Sequence, residues 1–340
     1  MNITSKPTRL FQLSATIAAL AVPAIVASPI ASAHDNKVDG VRAEIKRGTL
    51  EIKGGGQDNV VALRLKAGDA NVVQVDVGDD GSADFSFARR DVEAINVKLG
   101  DGDDKFNVDE ANGAVNTTIP TTIAGGDGDD SLNGGAGNET FKGGEGNDSV
   151  FGRKGTDTAY LGEGDDSFRW DPGDGSDVIE GQDGSDTLLF NGAAAAENVT
   201  LTANGGRLTF FRNPGTVTQD TNGVETVDFN ALGGADDVTV NDLTGTDVTR
   251  TNIDLAAAIG GSAGDRAVDT VTVNGTNGND TMHVDGSAPG VDVTGLATAV
   301  SVKHPEPTDS LAVNTLAGTD NVLTSGIAGV LKVLVDGVAV

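Results

Sequence analysis

Between residues 125 and 189, an apolar side chain recurs every nine positions, at the centre of an x-apolar-x triplet. These residues are Leu132, Phe141, Val150, Ala159, Phe168, Ile179 and Leu188, with one shift of phase at Trp170 and Asp171. Such a triplet predicts a three-residue strand whose middle side chain faces inward, because strand side chains alternate faces. Elsewhere the alternation is looser but persists to the C-terminus, as in Ile95-Asn96-Val97, Val227-Asp228-Phe229, Val271-Thr272-Val273 and Leu311-Ala312-Val313. Helical periodicity is scarce. Ala193 to Glu197 predicts a single helical turn leading out of the periodic segment, and Pro305 and Pro307 mark a loop.

The residues between the apolar ones repeat as strictly. From Gly125 the chain divides into GGDGDDSLN, GGAGNETFK, GGEGNDSVF, GRKGTDTAY and LGEGDDSFR, then PGDGSDVIE and GQDGSDTLL after the two-residue insertion. Glycine holds position 4 throughout, and position 6 is Asp130, Glu139, Asp148, Asp157, Asp166, Asp177 and Asp186. Glycines at positions 1, 2 and 4 permit backbone turns that a Cβ would obstruct, and free carbonyls to point into a shared cavity. One unit is then a turn plus a short strand, and two units make a coil of 18 residues. Carboxylates 18 apart stack: Asp130, Asp148 and Asp166 on one edge, Glu139 and Asp157 on the other. The Trp170–Asp171 insertion is expected to break that stacking between Asp157 and Asp177. The fold class expected is all-β, a parallel solenoid.

Charge adds a constraint. The chain carries 51 Asp and Glu against 23 Lys and Arg, a formal net charge of −28. Such a surface repels nucleic acid and anionic lipid, so cations are the natural partners. The absence of cysteine removes disulfides, thiol nucleophiles and thiolate metal sites. Residues 125–189 hold 16 acidic and 4 basic side chains. At a strand spacing of about 5 Å, two like charges repel by ~3 kcal/mol for an effective dielectric of ~20. A divalent cation between turns reverses that sign. Carboxylate and carbonyl oxygens without nitrogen or sulfur ligands suit Ca²⁺, ahead of Mg²⁺ and well ahead of Zn²⁺ or Cu²⁺.

These units resemble the G-G-x-G-x-D-x-U-x nonapeptide of hemolysin-type (RTX) calcium-binding repeat proteins. The resemblance implies a right-handed parallel β-roll with Ca²⁺ between successive turns. It also implies side-chain ligands at position 6: Asp130, Asp148, Asp157, Asp166, Asp177 and Asp186, with Glu139 one methylene longer. Loop residues such as Gly125, Asp127, Asp129, Gly134, Gly143 and Glu145 would supply further oxygens, mostly carbonyls. Arg153 and Lys154 depart from the pattern and bring positive charge beside a cation site.

A looser G-x-D-x-apolar unit occurs outside the array, around Asp58, Asp104, Asp236, Asp280 and Asp320; Asp58, Asp104 and Asp148 are 46 and 44 apart, and Asp236, Asp280 and Asp320 are 44 and 40 apart. Those intervals predict a long period of about two β-coils, as in a β-helix. In these copies Asp is expected to satisfy its own turn's amides. Asp104, flanked by Asp101 and Asp103, is the metal candidate among them. Asp76 to Gly81 reads as a hairpin turn rather than an EF-hand loop.

The expected organisation is a signal peptide at 1–33, β-rich coils at 34–124, the β-roll at 125–192 and solenoid-like repeats at 193–340. Lys6 and Arg9, the apolar stretch from Leu10 to Val26, and Ala31-Ser32-Ala33 carry the signal reading, with cleavage after Ala33. No later segment has the ~20 uninterrupted apolar residues of a membrane span. Catalysis is not expected. There is no H-E-x-x-H, and Gly260-Gly261-Ser262-Ala263-Gly264 lacks the following helix that a nucleophile elbow requires. His283, between Met282 and Val284, reads as solvent-facing. The function expected is a secreted Ca²⁺-binding module with a structural or adhesin-like role and an unknown cell-surface or matrix partner. The alternative is a polysaccharide-active enzyme carrying the roll as a folding aid.

Overall fold

A computed structural model describes residues 37–287 and 289–340; the signal segment 1–33 lies outside them. The single apolar residue of each nine decides the architecture. Successive units put their strands in opposite sheets, so the chain shuttles between a 16-stranded sheet and a 14-stranded one. Ser131–Asn133, Ser149–Phe151 and Ser167–Trp170 lie parallel in the smaller sheet. Thr121–Asp127, Glu139–Glu145, Thr158–Glu163 and Val178–Asp183 lie parallel in the larger. No α-helix occurs among the described residues; one 3₁₀ turn spans Arg89–Asp91.

Register aligns the apolar residues into two facing columns. Phe106, Leu132, Val150, Phe168 and Leu188 follow one another along the smaller sheet, and Ile123, Phe141, Ala159 and Ile179 along the larger. All of these are buried. At roughly 1.5–3 kcal/mol for each large side chain fully buried, this thin core is what the repeat itself contributes by apolar burial. The core continues without a gap from Val41 to Val333.

Coils outside the array are wider, some because antiparallel strands are inserted in them and others through longer loops, such as 110–120 and 255–269. One three-stranded insertion is Val60–Lys66, Asp69–Val77 and Phe85–Ala88; another is Asn198–Asn204, Arg207–Asn213 and Val217–Asn222. A third is Thr281–Ser287, Gly290–Thr294 and Ala299–Lys303. In the second and third the outer strands both resume parallel pairing with the solenoid; in the first only Val60–Lys66 does, and Phe85–Ala88 ends the sheet. The turn at Asp76 to Gly81 links two antiparallel strands, as expected. Asp76 accepts the amides of Asp80 and Gly81 and pairs with Arg64 at 2.6 Å.

Two expectations are corrected. Ala193 to Glu197 forms no helical turn; it is another inter-strand loop, between Thr187–Asn191 and Asn198–Asn204, with alanines in place of glycines. The 40-residue interval from Asp280 to Asp320 is one wide coil, not two narrow ones, because an antiparallel insertion lengthens it. Asp236 and Asp280 consequently fall on opposite edges of the solenoid.

Through most of the first edge glycine holds position 2 for a reason beyond turning, the column ending at Gln182, which takes the place opposite Gly162 with φ of 80°. Gly100, Gly126, Gly144 and Gly162 stack with φ of 114°, 141°, 140° and 129°. A Cβ on Gly144 would fall inside the carbonyl oxygen of Gly126, one coil below. Gly144→Ala should therefore lower the thermal unfolding midpoint at saturating Ca²⁺ well beyond Gly68→Ala. Gly68 also has positive φ (74°), but nothing lies within 4 Å of its would-be Cβ. The control should lose about 1 kcal/mol and Gly144→Ala clearly more; equal losses would show that coil stacking does not set the requirement.

Candidate metal centre

The solenoid has two edges. On the first, the chain passes from the larger sheet to the smaller, and on the second it returns. Except at Asp177, whose amide donates to the Thr218 carbonyl, each turn of the array leaves a backbone N–H at position 6 with no strand partner, and a carboxylate of the next coil supplies one. On the first edge, the amide of Asp130 donates to Asp148 Oδ1 at 2.8 Å, Asp148 to Asp166 at 2.6 Å, and Asp166 to Asp186 at 2.9 Å. The last rung, Asp186, donates to Glu225 Oε2 at 2.8 Å. A second ladder at position 5 runs the opposite way, with Asn147 donating to Asp129 at 2.7 Å and Asp165 to Asn147 at 2.8 Å.

The second edge repeats the scheme. Glu139 donates to Asp157 Oδ1 at 2.7 Å, and Asp157 to Asp177 Oδ1 at 2.9 Å. The insertion expected to break this contact does not. Trp170 extends its strand and turns its ring into the core, 4.0 Å from the stacked ring of Phe190. Its indole N–H donates to the Gly175 carbonyl at 2.8 Å, so the two extra residues are absorbed before the turn.

Each of these carboxylates thus has one oxygen committed to an amide. The other oxygen, Oδ2 of Asp130, Asp148, Asp157, Asp166, Asp177 and Asp186, is buried and has no hydrogen-bond partner. In several units it occupies the space where a Cβ at position 1 would sit, which explains Gly125, Gly143, Gly152 and Gly181. Burial without a donor disfavours the charge. It pushes the carboxyls of Asp130, Asp148, Asp177 and Asp186 up to about 7, Asp166 to about 6 and Asp157 to about 9. Neighbouring carboxylates add to the rise in most of them.

A buried, unpartnered carboxylate oxygen at each aspartate rung is suited to ligate a cation. The donor set fits Ca²⁺: it is all oxygen, and among the described residues no three acidic or histidine side chains converge on a point. Backbone carbonyls of the glycine turns must complete any coordination shell, as in flexible Ca²⁺ sites.

The remaining sequence candidates sit around this column. Asp127 and Glu145 are exposed neighbours across the sheet, in line with Glu163 and Asp183. Their carbonyls accept the amides of Gly102 and Gly128 at 2.7 Å. Asp129 belongs to the position 5 ladder. Glu139, beside Gly134, differs from the aspartates because both its oxygens have donors, Asn116 Nδ2 and the Gly135 amide, each at 2.8 Å. Arg153 places its guanidinium on the carbonyls of Val108 (2.7 Å) and Gly134 (3.0 Å) and on Asn107 Oδ1 (3.0 Å).

Outside the array the same ladder recurs. The amide of Glu197 donates to Asp236, Asp236 to Asp269, Asp269 to Asp309, and Asp280 to Asp320. These bonds run between coils, so the expectation of purely local turn capping is corrected; Glu197, Asp280 and Asp309 do both, also capping their own turns at Ala193, Thr276 and Glu306. In the N-terminal copy position 6 is Asn59, and Asp58 holds position 5. Sequence reading missed Asp269 and Asp309, because irregular loops precede them. At Glu197, Arg212 pairs with Oε1 and lies over the Trp170 ring at 5.1 Å. The Gly260–Gly264 segment runs on to the strand Thr270–Asn274 without a helix, and His283 points outward between buried Met282 and Val284.

A family model of the RTX calcium-binding nonapeptide repeat matches four copies, over residues 121–150, 133–168 and 173–192. No curated protein and no solved structure matches the chain. The matched segment is the stretch in which the orphaned oxygens are densest. These repeats bind Ca²⁺.

The raised carboxyls set a pH dependence. The folded metal-free chain holds protons between about pH 4 and 9 that the unfolded chain has released, so its stability falls as pH rises through that window. In metal-depleted buffer the unfolding midpoint should be lower at pH 8 than at pH 5, and the gain on adding Ca²⁺ larger at pH 8. A metal-free midpoint that rises with pH would mean that the buried carboxylates ionise without penalty.

Proposed function

We propose that this protein is an exported, non-catalytic structural or adhesin-like component whose calcium-bound roll forms in the extracellular medium. The column of buried position 6 carboxylates, each with an unpartnered oxygen, carries the reading. Without metal the roll must keep protons on these groups or bear their mutual repulsion across a thin core. With Ca²⁺ bound, adjacent turns are linked and binding energy becomes folding energy. Extracellular modules of this kind work at Kd around 10⁻⁴–10⁻³ M. The basic start, apolar stretch and small-residue site at 1–33 support export, and the acidic surface favours cations over nucleic acid. No helix among the described residues is long and apolar enough to cross a membrane.

Circular dichroism of the chain from His34 onward should gain strand signal on Ca²⁺ addition and lose it with chelator. A spectrum indifferent to Ca²⁺ would rule out coupled folding. Asp148→Ala removes the acceptor for the Asp130 amide and one orphaned oxygen together. It should shift the calcium midpoint upward and blunt its steepness; an unchanged titration would show that the rungs act independently of Asp148. Export is checked by expressing the full chain in its own host. The mature N-terminus in the culture medium should be His34, and retention of an intact chain in the cytoplasm would refute it.

A further inference from the structure

The carboxylate column does not begin where the repeats begin. The loop Leu99 to Asp104 precedes its counterpart Gly125 to Asp130 by 26 residues rather than 18, and lies outside the matched repeats. In space the two loops stack as closely as any pair inside the array. Gly100 lies opposite Gly126, and Asp101 opposite Asp127. The Gly102 amide donates to the Asp127 carbonyl at 2.7 Å, Asp104 to Asp130 Oδ1 at 2.8 Å, and Asp129 to Asp103 Oδ1 at 3.0 Å. The same bonds join the next two loops, at 2.7 Å for Gly128 to Glu145, 2.8 Å for Asp130 to Asp148 and 2.7 Å for Asn147 to Asp129. Phe106 takes the inward position, in register with Leu132.

The eight extra residues are taken up elsewhere. They belong to the segment 110–120 on the second edge, where Val115 is buried and Asn116 reaches Glu139. The first edge therefore keeps its stacking through a break that hides it from the nine-residue rhythm. Asp104 is fully buried; its Oδ1 accepts the Asn59 amide at 2.6 Å, and its Oδ2 has no partner. One coil earlier the pattern stops. Asn59 is neutral, its Oδ1 accepts the Gly55 amide at 3.2 Å, and its Nδ2 donates to the Asp39 carbonyl at 3.2 Å.

We propose that a hard divalent cation, Ca²⁺ in the extracellular setting, binds between the Leu99–Asp104 and Gly125–Asp130 loops, with the Asp104 carboxylate as a ligand. The carboxylate of Asp130 and carbonyls of the two glycine turns are the other oxygens these loops offer. Exposed Asp101 and Asp103 add negative charge around the site. The cation column on the first edge thereby reaches one coil beyond the recognisable repeats and ends at Asn59. This proposal rests on the reading that the roll itself binds Ca²⁺.

Native mass spectrometry of the His34-onward chain at saturating Ca²⁺ tests it, on wild type, Asp104→Asn and Asp148→Asn. The asparagine at 104 keeps an oxygen for the Asn59 amide, so strand content by circular dichroism should survive. Asp104→Asn should carry one ion fewer than wild type, and Asp148→Asn should also lose binding. An unchanged count in Asp104→Asn, with loss in Asp148→Asn, overturns this site and leaves the roll reading standing. A wild type that binds no ion overturns both. Hydrogen exchange on the wild-type chain decides the matter if the variant fails to fold. Amides of residues 99–106 should gain protection on Ca²⁺ addition, and protection confined to residues 121–192 overturns the site.

Discussion

A buried carboxylate with one oxygen on a neighbour's amide and the other without a donor is tolerable only if a proton or a cation takes the second oxygen. That constraint recurs at every aspartate rung of the array. The carboxylate cannot be dispensed with, because it satisfies a backbone amide that the turn has removed from both sheets. It cannot be left bare, because burial and like-charged neighbours both oppose ionisation. The two requirements together make the nine-residue rhythm a device for holding cations rather than a neutral way of building strands.

The solenoid meets the same need differently at different coils. At Glu139 both oxygens receive amide protons, one from Asn116 and one from Gly135. At Glu197 the guanidinium of Arg212, also hydrogen-bonded to the Pro214 carbonyl at 2.9 Å, supplies a permanent positive charge. On the second edge Arg153 occupies carbonyl oxygens that a metal would otherwise share. Ion dependence is thus concentrated where aspartate oxygens remain unpartnered. The wider coils draw more of their stability from antiparallel insertions and from the aromatic cluster of Trp170, Phe190, Phe210 and Phe229.

The insertions show how a solenoid tolerates irregular length. Extra residues are accommodated where they do not disturb the stacked loops: before the turn at Trp170, or on the opposite edge at 110–120. In each case the inter-coil bonds keep the lengths found in uninterrupted coils. A parallel stack held by amide-to-carboxylate bonds at one edge fixes the height of the coil but leaves its circumference free.

The short strands of the smaller sheet, the inward residues and the stacking of Asp130, Asp148 and Asp166 are legible in the sequence, whereas the larger-sheet strands run on through the glycines, as in Glu139–Glu145 and Thr158–Glu163. A three-residue strand and a glycine turn are local, and the 18-residue coil follows from their strict repetition. The glycine at position 2 is legible too, although its cause, the carbonyl of the coil below, is not. Only the tertiary structure decided the rest. It placed Asp104 over Asp130 across 26 residues, moved the N-terminal rung from Asp58 to Asn59, and put Asp236 with Asp269 and Asp309 rather than with Asp280. These pairings depend on how many residues an insertion spends away from the stack. Spacing along a chain records that number without saying which edge absorbs it.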